Sequence, residues 1–168
     1  MWRRSWPLGA VVLLQLGILA AIPLRQARAR LAGTEVTLET MPVDPYDLLS
    51  GYYVTLRYRA EEAPRAAGLG EGEAWLVLAP GSPAWSGVEV RAGRPVPAPG
   101  QVAIRVEVER GRVRIPSAGR FYVPEARRHE VDEALRAVRS AALVDLKVGE
   151  DGSVALLRLR AGAVTIGR

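Results

Sequence analysis

Cysteine is absent from the 168 residues, and the chain holds one histidine, one phenylalanine and one lysine. Without thiols there can be no disulfide, thiolate nucleophile or thiolate metal site. A lone histidine, His129, rules out a multi-histidine metal centre, and no Gly-x-Ser-x-Gly nucleophile elbow accompanies it. His129 sits among Arg127, Arg128 and Glu130, where a solvated position is expected. Because Lys147 is the only lysine among 23 basic residues, arginine stands in for lysine throughout, and the arginine count says nothing about ligands. No cofactor is implied and no metal-ligating set is present.

Acidic residues are missing from positions 1–30, which carry Arg3, Arg4, Arg25, Arg28 and Arg30. The whole chain has a net charge of +5, yet its remaining 18 basic residues balance its 18 acidic ones. The excess flanks one apolar run, so the local basic surplus that phosphate binding needs is lacking, and nucleic acid is not expected as a partner. That run, Ser5 to Leu24, is 20 residues without a charge, interrupted by Gln15. As a helix it would extend ~30 Å, the thickness of a bilayer's hydrocarbon core. Trp2 and Trp6 suit its interface, and Pro7 suits a first helical turn. Ala27-Arg28-Ala29 is spaced like a signal-peptide cleavage site, which leaves a cleaved leader as the alternative. The expectation is a transmembrane anchor with basic flanks over 1–30, contacting lipid through residues 5–24. A domain over 31–168 would follow it on the extracytoplasmic side of the cell membrane.

Beyond the linker, Thr34–Glu39 alternates as a half-buried strand. Ala60 to Glu73 has no period and reads as a loop. Ala74–Leu78 and Gly87–Arg91 are short strands, and Val102, Ile104, Val106 and Val108 form one face of a longer strand. Arg110-Gly111 turns that strand back through Val113 and Ile115. Pro124 opens one amphipathic helix, in which Val131, Leu135 and Val138 share a face. A final hairpin joins Leu143–Val148 to Ser153–Arg160. The expected class is α+β: an N-terminal transmembrane helix, then a mostly antiparallel sheet or partly open barrel with one amphipathic helix.

The densest chemistry lies between Met41 and Tyr58. Two X-Pro dipeptides, Met41-Pro42 and Asp44-Pro45, hold the chain extended, and Asp47 and Ser50-Gly51 supply turn residues. A strand over Tyr52 to Arg59 should follow, with Tyr52, Val54, Leu56 and Tyr58 on one face. Asp44 and Asp47 stand close to Tyr46, Tyr52, Tyr53 and Tyr58. Two carboxylates could hold a cation, share a proton or contact a partner, but as Asx-turn acceptors they would fix the loop. The tyrosines suit either a core edge or a recognition surface.

This segment resembles the signature of the GDYXXLXY family at Asp44, Pro45, Asp47, Leu48, Gly51, Tyr53, Leu56 and Tyr58, with Tyr52 replacing the family's Asp. A second match runs over Phe121, Tyr122, Val123, Pro124 and Glu125 into the helix, and on to Asp151-Gly152. The resemblance implies an envelope domain with one N-terminal helix, paired with a multi-spanning membrane protein. On that basis the expected function is a membrane-anchored, non-enzymatic domain that binds such a partner through the Asp44–Tyr58 loop and strand. Its binding residues would be Asp44, Pro45, Asp47, Gly51, Tyr53, Leu56, Tyr58 and Glu125, with no catalytic residue. Two alternatives stand beside it. One is a hydrolase related to signal-peptidase-like proteases, with Thr40 at the nucleophile position and Lys147 as base; the other is a small-ligand or cation-binding domain.

Overall fold

A computed structural model of the chain describes residues 10–13, 15–17, 33–41, 53–137 and 142–167. Ten strands dominate it: β1 (Thr34–Glu39), β2 (Tyr53–Thr55), β3 (Gly72–Ala79), β4 (Ser86–Arg91) and β5 (Val102–Glu109). They continue as β6 (Arg112–Arg114), β7 (Arg120–Tyr122), β8 (Leu143–Val148), β9 (Val154–Ala161) and β10 (Val164–Gly167). The strands form three antiparallel sheets, ordered β1-β8-β9-β10, β4-β3-β5-β6 and β2-β7.

Local chemistry sets the hairpins. Arg110 and Gly111 both take positive φ, 49° and 70°, the two-residue turn whose twist matches its strands, so Glu109 lies opposite Arg112. At the β8–β9 turn Gly152 has φ 75°, and a Cβ there would lie 2.4 Å from the Trp75 ring, so only glycine fits. Its carbonyl accepts from the Arg105 N–H at 3.0 Å, which ties this hairpin to β5.

The sheets close on one another at their edges. Trp85 N–H donates to the Thr37 carbonyl at 2.8 Å, beside a Leu38–Trp85 bridge, so β1 continues into the start of β4. Alternate residues of all three sheets point into one core, including Leu38, Leu146, Leu159, Leu76, Ile104, Leu56 and Phe121. The 3-10 turn Glu125–Arg127 leads into helix α1 (Arg128–Ala137), which touches β9 and β10 and buries Val131 completely.

The expected class is corrected here. The molecule is β-rich rather than α+β with an N-terminal transmembrane helix. Among the described residues no helix is long and apolar enough to cross a membrane. Within the Ser5–Leu24 run, helix is described at 10–13 and 15–17. An uncharged run supplies hydrophobicity but does not by itself specify a helix of spanning length. The single-pass membrane location read from it is therefore not supported; the remainder of the run lies outside the described residues. The antiparallel sheets and the amphipathic helix after Pro124 are as expected.

Candidate functional site

The signature segment divides into a framework and an exposed face. Strand β2 pairs with β7 in the register Tyr53–Tyr122, Val54–Phe121 and Thr55–Arg120. Leu56 extends the ladder by donating its N–H to the Gly119 carbonyl at 2.9 Å. Beneath it Leu56 and Tyr58 are buried at 4% and 0% exposure, which makes both framework. The Tyr58 hydroxyl donates to the Ala118 carbonyl at 2.8 Å. Burial, and then the nearby Glu61 charge, push its pKa far above the ordinary tyrosine range, so it remains a neutral donor.

On the outward side Tyr53 and Tyr122 meet with ring centroids 6.0 Å apart and planes tilted by 60°. The Arg120 guanidinium lies 5.2 Å from the Tyr53 ring centre, a cation–π arrangement. Tyr122 is 69% exposed, while its neighbours Phe121 and Val123 are buried. The short strand thus sends one aromatic into the core and offers the next to solvent. Glu125 follows at the start of the 3-10 turn and is exposed.

Of the expected site residues, Tyr53, Leu56 and Tyr58 are brought together on or beneath this ribbon, with Glu125 just beyond it. Asp44, Pro45, Asp47 and Gly51 lie outside the described residues, as do Tyr46 and Tyr52. Arg120 and Tyr122 were not among the expected site residues. Tyr122 had a signal, because a tyrosine between Phe121 and Val123 in a three-residue strand must point outward. Arg120 had none, since its role depends on the register with Thr55.

The protease-like pair is not assembled. Lys147 faces Glu35 across β1–β8, five residues from Thr40 along the chain, or roughly 16 Å of strand. A general base must instead sit within hydrogen-bond reach of its nucleophile. Thr40 is 4% exposed, and its hydroxyl accepts the Ala142 N–H at 2.9 Å. His129 is exposed on α1, as expected. Among the described residues no three His, Asp or Glu side chains are grouped to hold a metal ion.

Two buried acids escaped the sequence. On the outer face of the β1–β8–β9 sheet, Asp145 accepts from Thr37 Oγ1 at 2.8 Å, Arg160 Nη2 at 2.6 Å and Arg158 Nε at 3.0 Å. Burial alone would raise its pKa; the Thr37 and Arg160 hydrogen bonds and the two arginine charges overcome that and hold it below the ordinary range. Glu61, in the 3-10 turn Arg59–Glu62 that follows the signature, accepts the Ile115 N–H at 3.1 Å through Oε1. Its pKa is raised by burial, against the lowering effects of that bond and of Arg57. Elsewhere a groove of ≈ 420 Å³ beside Trp75 has its arginine already engaged. Arg94 stacks 5.7 Å from the Trp75 ring centre and donates to the Glu150 carbonyl at 2.6 Å.

No curated protein and no solved structure matches the chain. A family model described as "GDYXXLXY protein" matches residues 15–159, which takes in both signature segments, the ribbon and all of the β8–β9 hairpin but the last two residues of β9. The chain belongs to the GDYXXLXY family.

Proposed function

We propose that the chain is a non-enzymatic protein-binding domain whose contact surface is the Tyr53–Tyr122–Arg120 face of the β2–β7 ribbon, together with the Asp44–Tyr58 segment that feeds it. The observation that carries this reading is Tyr122, 69% exposed beside Tyr53 and Arg120 and seated on a buried framework. Tyrosine and arginine dominate the energetic centres of protein interfaces, because each offers a large contact area and a directional polar tip. In this reading Leu56 and Tyr58 hold the ribbon, Tyr53 makes contact, and Glu125 lies at the rim. Asp44, Pro45, Asp47 and Gly51 are further contact residues in the same reading. The multi-spanning membrane protein implied by the family resemblance is the first partner to test.

The experiment is cross-linking of the tagged full-length chain in cells, followed by mass spectrometry of captured proteins. Tyr122→Ala and Arg120→Ala should each weaken recovery of the partner tenfold or more, since an interface hot spot contributes about 2 kcal/mol or more. Their melting temperatures should stay at the wild-type value. Undiminished recovery by both variants overturns the proposal.

A further inference from the structure

In the β2–β7 ribbon, strand β7 pairs with β2 alone, so its far edge has no neighbouring strand among the described residues. One bond fixes which groups point to that edge. Leu56 N–H donates to the Gly119 carbonyl, so Leu56–Gly119 is a hydrogen-bonding position of the ladder, and Val54–Phe121 is the next. Arg120 and Tyr122 occupy the alternate positions, and their N–H and C=O groups turn away from β2. No backbone group among the described residues bonds to them there. The opposite edge of the signature strand differs, because the Arg57 carbonyl accepts from Met41 N–H at 2.7 Å. Arg120 and Tyr122 are both exposed, so the open edge faces solvent.

An unpaired edge is a template for another strand unless a proline, a charge set across it or a covering loop closes it. Strand β7 contains no proline, and the charge of Arg120 is drawn back over the Tyr53 ring of β2. The segment Arg120-Phe121-Tyr122 is also self-complementary. A two-fold axis beside Phe121 runs two copies antiparallel, with Arg120 of each opposite Tyr122 of the other. Both are positions at which opposed residues exchange N–H and C=O bonds. Their side chains share the outward face, so each guanidinium that packs on Tyr53 gains a second ring beside it.

We propose that the occupant of this edge is a second copy of the chain, joined β7 to β7 so that the two ribbons become one continuous sheet. The Tyr53–Tyr122–Arg120 face stays open in such a dimer and is doubled, so the pairing is additional to the contact surface described above.

Disulfide trapping tests the register, since the chain has no cysteine of its own. Full-length Arg120→Cys and Tyr122→Cys proteins, one with a larger tag, are oxidised separately and mixed, in mild detergent that keeps the apolar Ser5–Leu24 run in solution. Residue 120 should lie about 5.5 Å, Cα to Cα, from residue 122 of the second copy, within disulfide reach. Two copies of residue 120, or of residue 122, should lie roughly 8 Å apart, beyond it. The mixed disulfide should therefore form at least about tenfold faster than either like disulfide.

Tyr122→Pro separates edge from face. It removes an N–H that points away from β2, so pairing within the chain survives. Sedimentation equilibrium should give wild type twice the 18.2 kDa of one chain. Tyr122→Pro should be monomeric at an unchanged melting temperature, and Tyr122→Ala, which keeps the N–H, should form a weaker dimer. Wild type at the mass of one chain, a folded Tyr122→Pro as dimeric as wild type, or mixed and like disulfides forming at equal rates would each overturn the inference. If Tyr122→Pro fails to fold, the disulfide rates decide.

Discussion

Asp145 and Glu61 are both buried carboxylates, at 2% and 7% exposure, yet their surroundings drive their pKa values in opposite directions. Around Asp145 three donors from β1 and β9 point at two oxygens, and two of them carry full positive charge. Around Glu61 one oxygen has a backbone donor and the other has none at bonding distance, with Arg57 left at 3.6 Å. Removal from water costs a carboxylate either way. What decides the outcome is whether the protein replaces the lost hydration. The outer sheet face does so fully and is structural. The turn beside the signature does so by half.

The largest effect should come from breaking the complete site. Asp145→Ala removes the acceptor shared by Thr37, Arg158 and Arg160. Arg158 keeps Glu35 at 2.7 Å, and Arg160 keeps a 3.3 Å contact to Thr37, so neither arginine is stranded. The cost should therefore be about 2–4 kcal/mol, at or below the usual range for cutting a buried pair. In thermal melts that amounts to a drop of roughly 5–15 °C. A loss below 1 kcal/mol would mean that this network is surface decoration and would erase the contrast with Glu61.

A smaller loss should follow from Tyr58→Phe, which tests the framework between the ribbon and the turn. The ring still fills the core, but the Ala118 carbonyl loses its 2.8 Å donor. One unmet buried acceptor costs about 1–2 kcal/mol, read from urea denaturation with an unchanged slope. Loss of the Tyr53–Tyr122 pairing as well, seen as a change in aromatic circular dichroism, would show the ribbon to depend on this one bond.

Local chemistry made much of the fold legible, and long-range pairing hid the rest. The Arg110-Gly111 hairpin, the Asp151-Gly152 turn and the alternation in β1 and β5 depend on neighbours in sequence, and all can be read there. The inward face of Leu56 and Tyr58 was likewise visible. The strand expected to run on to Arg59 is described as Tyr53–Thr55 and stops after Thr55, because its partner β7 is three residues long and follows the Pro116–Ala118 turn. Ala60 to Glu73 lacks a period and reads as loop, yet Ala60 and Glu61 are buried, since a single turn set by contact with Ile115 has no repeat to display. Asp145 reads as an ordinary outward residue of an alternating strand. Its burial comes from Arg158 and Arg160, placed by a register shift between Asp145 and Leu146. The apolar N-terminal run had the opposite fault, with a strong compositional signal for a membrane helix that the described structure does not bear out.

The smallest expected change in stability distinguishes the two acids by sign. Asp145 has a lowered folded pKa, so its contribution is present above the unfolded carboxylate value and is lost as pH falls through the folded one. Glu61 has a raised folded pKa, so the folded state holds that proton more tightly than the unfolded chain. Its contribution is complete below the ordinary carboxylate range and is lost as pH rises through the raised value. Asp145→Asn should therefore flatten the acid side of a stability–pH curve and lower the neutral side, where the lost contribution was fully present. Glu61→Gln should do the reverse, abolishing the decline just above the carboxylate range and leaving stability at neutral pH within about 0.5 kcal/mol of wild type or slightly above it. Matched urea titrations of the three proteins across that range measure both slopes. Slopes of the same sign for the two acids would mean that Arg57 neutralises Glu61 as fully as the arginines neutralise Asp145.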